Sequence, residues 1–269
     1  MSAAEQLAAS GTGRGSERRI WRGVGTLAGA VVILISAGQT WTSLVRQSSV
    51  HPTLYSSRIT ALELDLQDAN ATISPALDNR LAVQQSEHWT VGKPVVTPKV
   101  EGHTLRISTR CPQVLGITEP SCSVGLDIAA PPGTAVTIKS TSGDTRIRGL
   151  TGALSLRSYS GSIELDDVSG RIAAQLTSGS LTGQHLTSTQ VQAAVTSGAV
   201  DLQFAAPPHA VALACTSGSL HAGLPPGSTY RLNVSGSSDV DPALTDPNSP
   251  NTISAFCGSG NTSLGFAPG

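Results

Sequence analysis

The chain has 269 residues, of which 13% are charged and 3% aromatic, against about 25% charged residues in an average soluble domain. Its apolar content of 39% is enough for a hydrophobic core, so the composition excludes a chain that is disordered throughout. A net charge of −1, with no basic stripe carrying interleaved aromatic residues, argues against a nucleic-acid-binding protein.

The first candidate element is an uncharged run at residues 23–45, which is long and apolar enough to span a bilayer as one helix. Trp21 and Trp41 lie near its two ends, where amphipathic rings sit at the headgroup layers. The preceding residues 1–22 are predicted to form a cytoplasmic tail, because arginines flank a span on its cytoplasmic side. These arginines are Arg14, Arg18, Arg19 and Arg22.

A cleaved signal peptide is the alternative for the same run, since small residues at positions 36–38 would suit a cleavage site. Both interpretations place the remainder of the chain outside the cytoplasm. Residues 46–57 are polar and serine-rich, and they predict a short spacer between the membrane and the next domain.

Residues 58–130 contain several short segments of alternating apolar and polar residues, which predict β-strands. The clearest of these segments read ITALELDL, TLRIST and SVGLDIA. We expect this region to form an irregular N-terminal cap of the β structure that follows, because the first strand of a stack would otherwise be an unpaired edge.

Residues 131–267 repeat a Ser-Gly step every 18 to 22 residues, with alternating apolar residues on each side of the step. A fixed period of this size predicts an all-β fold of the β-solenoid type, in which each repeat forms one rung of a stack. The step requires a sharp turn with positive φ, a conformation that glycine adopts without a Cβ clash. The step glycines are Gly143, Gly161, Gly179, Gly198, Gly218 and Gly260, with Ser238 in the glycine slot of one further repeat.

The four cysteines are read as potential disulfides in an exported domain. Cys111 and Cys122 are eleven residues apart and predict a local disulfide, two free thiols being the alternative. Cys215 and Cys257 occupy the same inward slot of two repeats, but another repeat lies between them in the chain. Two rungs of ~4.8 Å separate them by about 9.6 Å, beyond the reach of a disulfide, so both are predicted to be buried free thiols.

No residue pattern points to a specific chemistry. The six histidines show no metal-ligand spacing, and we assign no metal, no cofactor and no catalytic residue. The one arrangement that resembles a hydrolase site is the outward pair Glu164 and Asp201, which the repeat places about 9.6 Å apart, at the border of the separation in inverting glycosidases.

The run from Pro131 to Ile172, in which Ser-Gly-x-hydrophobic and Leu-x-Gly half-steps alternate, resembles the DUF4097 family of adhesin-like β-solenoid domains. Such domains are common in actinobacteria as single-pass membrane proteins. The resemblance covers residues 58–267 and implies a non-enzymatic surface protein with no catalytic residues to carry over. Ser238 departs from the family pattern.

The leading functional hypothesis is a membrane-anchored, extracytoplasmic β-solenoid that presents its outer faces to an envelope protein or a cell-wall polymer. The alternative is a wall-directed carbohydrate-active enzyme that uses Glu164 and Asp201. A third hypothesis is a structural spacer without a partner.

Overall fold

The alternating segments of the sequence form a stack of β-strands in the computed structural model of the protein. The structure describes residues 47–55, 58–78, 80–114, 117–118 and 122–267. Among these residues no helix is long and apolar enough to cross a membrane. The predicted tail and helix of residues 1–45 lie outside the described residues.

The described chain has seventeen strands and one short 3-10 helix, so the all-β prediction is confirmed for these residues. The strands are β1 (Gln47–Tyr55), β2 (Ala61–Leu66), β3 (Ala69–Pro75), β4 (Leu81–Trp89), β5 (Val95–Glu101), β6 (Thr104–Arg110), β7 (Gln113–Val114), β8 (Ile117–Thr118), β9 (Ser123–Ala130), β10 (Ala135–Ser140), β11 (Thr145–Arg148), β12 (Leu154–Asp166), β13 (Ile172–Leu186), β14 (Gln190–Phe204), β15 (Ala210–Leu224), β16 (Arg231–Val240) and β17 (Thr252–Phe266). The 3-10 helix is Pro242–Leu244.

Each regular rung consists of a leading strand before the step glycine and a trailing strand after it. In β12 to β15 and β17 one long strand contains both parts, whereas β10 and β11 are the separate leading and trailing strands of the first regular rung. Successive rungs pair in parallel, in the order β12, β13, β14, β15 and β17. Equivalent positions of the repeat therefore stack directly on one another.

Apolar residues at alternate positions fill the space between the leading and trailing strands. In β13, Ile172, Ala174 and Leu176 of the leading part and Leu181 of the trailing part are all buried. Because successive side chains of a strand point to opposite faces, the residues between them face solvent. The result is one continuous core that runs along the stack, with an outer face on either side.

The step glycines stack on one another along the same axis. All six have positive φ, between 104° at Gly143 and 144° at Gly260. A Cβ placed on Gly198 would lie 1.8 Å from the carbonyl oxygen of Gly179, and one on Gly218 would lie 1.8 Å from that of Gly198. Only glycine fits a column in which each Cα meets the carbonyl group of the rung before it.

The N-terminal end of the stack does not follow chain order. β2 and β3 pair in parallel with β10 and β11, and β6 and β9 form the next rung outward on β2 and β3. Antiparallel strands cover this last rung, with β5 on β6, β4 on β9 and β1 on β4. The cap therefore replaces the parallel edge of the stack with hairpin-like pairs.

Residues 47–55, predicted as part of a polar spacer, form strand β1 instead. The sequence lacks apolar alternation here because both faces of this edge strand are largely exposed. The buried carboxylate of Glu87 on β4 helps to attach β1 to the cap. It accepts a hydrogen bond from the Ser49 hydroxyl of β1 at 2.8 Å and another from the Gln85 amide. Lys93 Nζ lies 3.3 Å from the same carboxylate, so this buried charge is compensated.

The C-terminal end departs from chain order in a second way. β17 pairs directly with β15, and β16, which precedes β17 in the chain, lies on the far side of β17. Ser238 does not occupy the glycine slot, since it pairs with Thr262, two residues beyond Gly260. A register shift follows Ser235, and this last strand bends at Gly236, which has a φ of 98°.

Because β17 lies next to β15, the strand order also brings two cysteines together. Cys215 and Cys257 are direct partners on adjacent strands, with Cα atoms 4.5 Å apart, and they form a disulfide. The prediction of two free thiols is wrong, because it counted the intervening segment of chain as a rung between them. Cys111 and Cys122 form the second disulfide, with Cα atoms 5.9 Å apart, and close the loop between β6 and β9.

We expect Gly198→Ala to lower the free energy of unfolding by about 3 kcal/mol, because the new Cβ would overlap a backbone carbonyl at a residue with positive φ. Gly265→Ala in β17 is the matched control, since a Cβ there meets no atom within 4 Å and φ is ordinary. Its effect should stay within about 0.5 kcal/mol. Urea unfolding followed by circular dichroism measures both, and equal stabilities would contradict the stacked glycine column.

We expect peptide mapping without reductant to recover Cys215 and Cys257 in one crosslinked peptide. Replacing both by alanine should lower the free energy of unfolding by about 4 kcal/mol, because the bond closes a loop of 42 residues. Alkylation of both thiols in the unreduced protein would show that β17 does not stack on β15.

Candidate functional site

The stack offers two outer surfaces, which differ in chemistry. The trailing face consists of the outward side chains of the trailing strands and carries a ladder of charged residues. The leading face consists of the outward side chains of the leading strands and contains a groove. Each is built from columns of equivalent repeat positions, because the rungs stack in register.

The predicted pair Glu164 and Asp201 lies on the trailing face. Register places Thr182 between them, so the two carboxylates are two rungs, or about 9.6 Å, apart. The Glu164 carboxylate accepts a hydrogen bond from Arg146 Nε at 2.7 Å and lies 3.7 Å from Arg148 Nη2. Asp201 accepts a hydrogen bond from the Gln203 side chain at 3.0 Å.

This environment suits a structural ladder better than acid–base catalysis. Both oxygens of the Glu164 carboxylate already face guanidinium groups, Oε2 towards Arg146 and Oε1 towards Arg148, so the carboxylate is engaged in ion pairs between rungs. Ion pairing with Glu164 in turn raises the pKa of Arg146. Hydrogen bonds from the hydroxyl and backbone N–H of Ser162 lower the pKa of Asp144 in the next column. These groups stabilise one another's charges across rungs.

Asp166 extends the same ladder. Its carboxylate lies 3.9 Å from Arg148 Nε and 2.9 Å from His185 Nδ1. Asp167, which follows it, has a φ of 52° at the turn that leads to the next rung. In the part of the chain that the structure describes, no group of three or more histidine, cysteine or acidic side chains could hold a metal ion.

The groove on the leading face has a volume of about 670 Å³. It runs across the rungs along two outward columns, which lie four and two residues before the step glycine. The first column reads Lys139, Arg157, Gln175, Ala194, Ala214 and Phe256 in spatial order. The second contributes Thr141, Tyr159, Thr177, Thr196 and Thr216. We call this surface the leading-face groove.

Its shape follows from side-chain size in the first column. Ala194 and Ala214 stack on adjacent rungs and leave a low floor between longer neighbours. Gln175 borders this floor on one side and Phe256 on the other. The threonines of the second column form one wall. Each contributes a hydroxyl group, and neighbouring rungs are about 4.8 Å apart.

The two most exposed aromatic side chains of the described residues both line the groove. Tyr159 is 63% exposed and Phe256 is 53% exposed, and four rung steps separate their strands. Exposed aromatic rings in a concave surface are typical of binding sites, because their burial by a partner is favourable.

Sequence reasoning missed this groove although the signal was present. The acidic pair Glu164 and Asp201 lies in an outward column after the step, whereas the groove is built from outward columns before it. Read at the same period, Thr177, Thr196 and Thr216 would have shown a hydroxyl column, and Tyr159 and Phe256 two outward rings.

Three comparisons place the chain among known proteins. The model of the Toastrack DUF4097 family matches residues 117–265, which is more than half of the chain. No curated protein sequence matches it.

Solved structures with a related strand arrangement include a putative cell adhesion protein from Clostridium sporogenes, 13% identical, with 82% of this chain and 100% of that chain covered and a TM-score of 0.42. A putative adhesin from Bacteroides fragilis is 14% identical, with coverages of 81% and 97% and a TM-score of 0.44.

Proposed function

The chain belongs to the DUF4097 (Toastrack) family, and on this premise we propose that it is a membrane-anchored, extracytoplasmic interaction protein without catalytic activity. Its stack of rungs presents the leading-face groove to a partner in the cell envelope, either a wall polymer or another envelope protein. The observation that carries the proposal is this groove of about 670 Å³, which contains both exposed aromatic side chains of the described residues.

The sequence of residues 1–45 supports the anchoring part of the proposal. An uncharged run at residues 23–45, flanked by Trp21 and Trp41 and preceded by arginines, is typical of a single helix with its N-terminus in the cytoplasm. Strand β1 begins at Gln47, two residues after this run.

Two features support a non-catalytic role. The groove lining contains no carboxylate pair, since Asp65 is its one acidic residue. The outward carboxylates Glu164 and Asp201 lie on the other face, where they take part in ion pairs and hydrogen bonds. A surface of repeated hydroxyl groups, small side chains and two rings provides contact area, but not the paired acid and base that hydrolysis needs.

Filling the floor of the groove tests the docking role. We expect the double variant Ala194→Gln and Ala214→Gln to bind isolated cell envelopes at least about tenfold more weakly than the wild-type full chain, measured by co-sedimentation from detergent solution. Glutamine already occupies this column at Gln175, so the fold should tolerate it. Ala199→Gln on the trailing face is the matched control and should bind as the wild type does. Unchanged binding by the double variant would refute docking in the groove.

Glycan hydrolysis assays test the absence of catalysis. We expect the full chain to release no reducing ends from cell-wall polysaccharides, and Glu164→Gln to behave identically. The substitution removes exposed ion pairs and should lower the free energy of unfolding by less than about 1 kcal/mol. Turnover by the wild type that disappears in Glu164→Gln would establish the enzymatic alternative instead.

A further inference from the structure

The leading-face groove has an unbalanced positive charge at one end. Lys139 and Arg157 are direct partners on β10 and β12, so their side chains leave the sheet side by side, about 4.8 Å apart. Like charges in this relation destabilise a sheet unless something compensates them. Among the described residues neither has an ion pair, whereas Arg106 on the same face pairs with Glu63 at 2.9 Å. Asp65 on β2 is the direct partner of Lys139 on its other side, at the same rung spacing, so the three side chains together carry a charge of +1.

This pair, which keeps a net charge of +1 when Asp65 is included, fits an anionic group of a ligand. A guanidinium and an ammonium group on neighbouring strands can bind one carboxylate or phosphate between them, with charge-assisted hydrogen bonds. The adjacent Tyr159 ring, two residues after Arg157 in the chain, offers an apolar surface next to the bound charge. Phe256 offers a second ring about 19 Å away along the groove, four rung steps further on.

The surface between the two rings suits a hydroxyl-rich chain better than a peptide. The strands beneath the floor, β13, β14 and β15, pair with neighbours on both edges, so they offer no free backbone N–H or C=O for an added strand. What they offer instead is a hydroxyl group per rung, from Thr177, Thr196 and Thr216, above a floor of alanine. A sugar chain uses such a surface through its own hydroxyl groups, and the apolar faces of its rings stack on aromatic side chains.

We propose that the leading-face groove binds an anionic polysaccharide, with a carboxylate or phosphate on Lys139 and Arg157 and sugar rings on Tyr159 and Phe256. This inference rests on the proposed docking role of the groove and names the class of its partner. It assigns charge recognition to one end of the groove, and it leaves the alanine floor to accommodate the uncharged part of the chain.

The test is isothermal titration calorimetry of the full chain in detergent with four probes. These are tetragalacturonic acid, mannopentaose phosphate, the neutral cellotetraose and tetraglutamate. We expect one or both anionic saccharide probes to bind, and which of them binds identifies the anion as carboxylate or phosphate. Binding should weaken as salt is added, because charge pairs at an open surface are screened. Cellotetraose should bind at least about tenfold more weakly.

Variants assign the binding to the groove. The double variant Lys139→Gln and Arg157→Gln should lose at least about tenfold in affinity for the anionic saccharide and with it the discrimination against cellotetraose. Phe256→Ser should weaken the binding of both the anionic saccharide and cellotetraose. Arg171→Gln is the matched control, since Arg171 is an exposed arginine outside the groove, and it should bind as the wild type does.

The inference is overturned if neither anionic saccharide binds, if the Lys139 and Arg157 double variant binds as the wild type does, or if tetraglutamate binds more tightly than both saccharides. Its failure is distinguishable from failure of the docking role. If the Ala194→Gln and Ala214→Gln variant loses envelope binding while neither anionic saccharide binds, the groove docks another partner. If that variant keeps envelope binding, the docking role itself fails.

Discussion

The column of step glycines is the constraint on which the rest of the structure depends. Each of these residues bends the chain with a positive φ, and from Gly161 onward each brings its Cα against the carbonyl group of the glycine one rung earlier. No side chain fits at this point, since a Cβ would lie between 1.7 Å and 2.1 Å from the carbonyl oxygen from Gly161 to Gly260. Because the bends stack, the leading strands, the trailing strands and the apolar columns between them stack as well.

Strict stacking gives the two outer faces their different characters. On the trailing face, Arg146 and Arg148 of β11 both form ion pairs with Glu164 of β12. On the leading face the same periodicity aligns small residues and threonines, and the groove forms where alanines succeed longer side chains. A repeat protein thus acquires a binding surface by varying one outward position from rung to rung, while the inward positions keep the core continuous.

The N-terminal end of the stack meets a different requirement, which is to protect a parallel edge. At the N-terminal end, β1, β4 and β5 do so with antiparallel pairing, and the buried carboxylate of Glu87 helps to hold β1 there. At the C-terminal end, β17 returns to pair with β15 and leaves β16 outermost, with the Cys215–Cys257 disulfide joining β15 to β17. Neither arrangement follows the order of the chain.

The sequence alone determined the all-β class, the period of the repeat and the inward columns, because these depend on local alternation and on the conformational freedom of glycine. It also contained the Lys139, Tyr159 and Phe256 positions of the groove, although their relation was not visible. Tertiary structure decided the spatial order of β15, β17 and β16, the pairing of Cys215 with Cys257, and the incorporation of residues 47–55 into the sheet. The reason is that strand order depends on which edges compete for pairing across long stretches of chain, and no local pattern of residues encodes that competition.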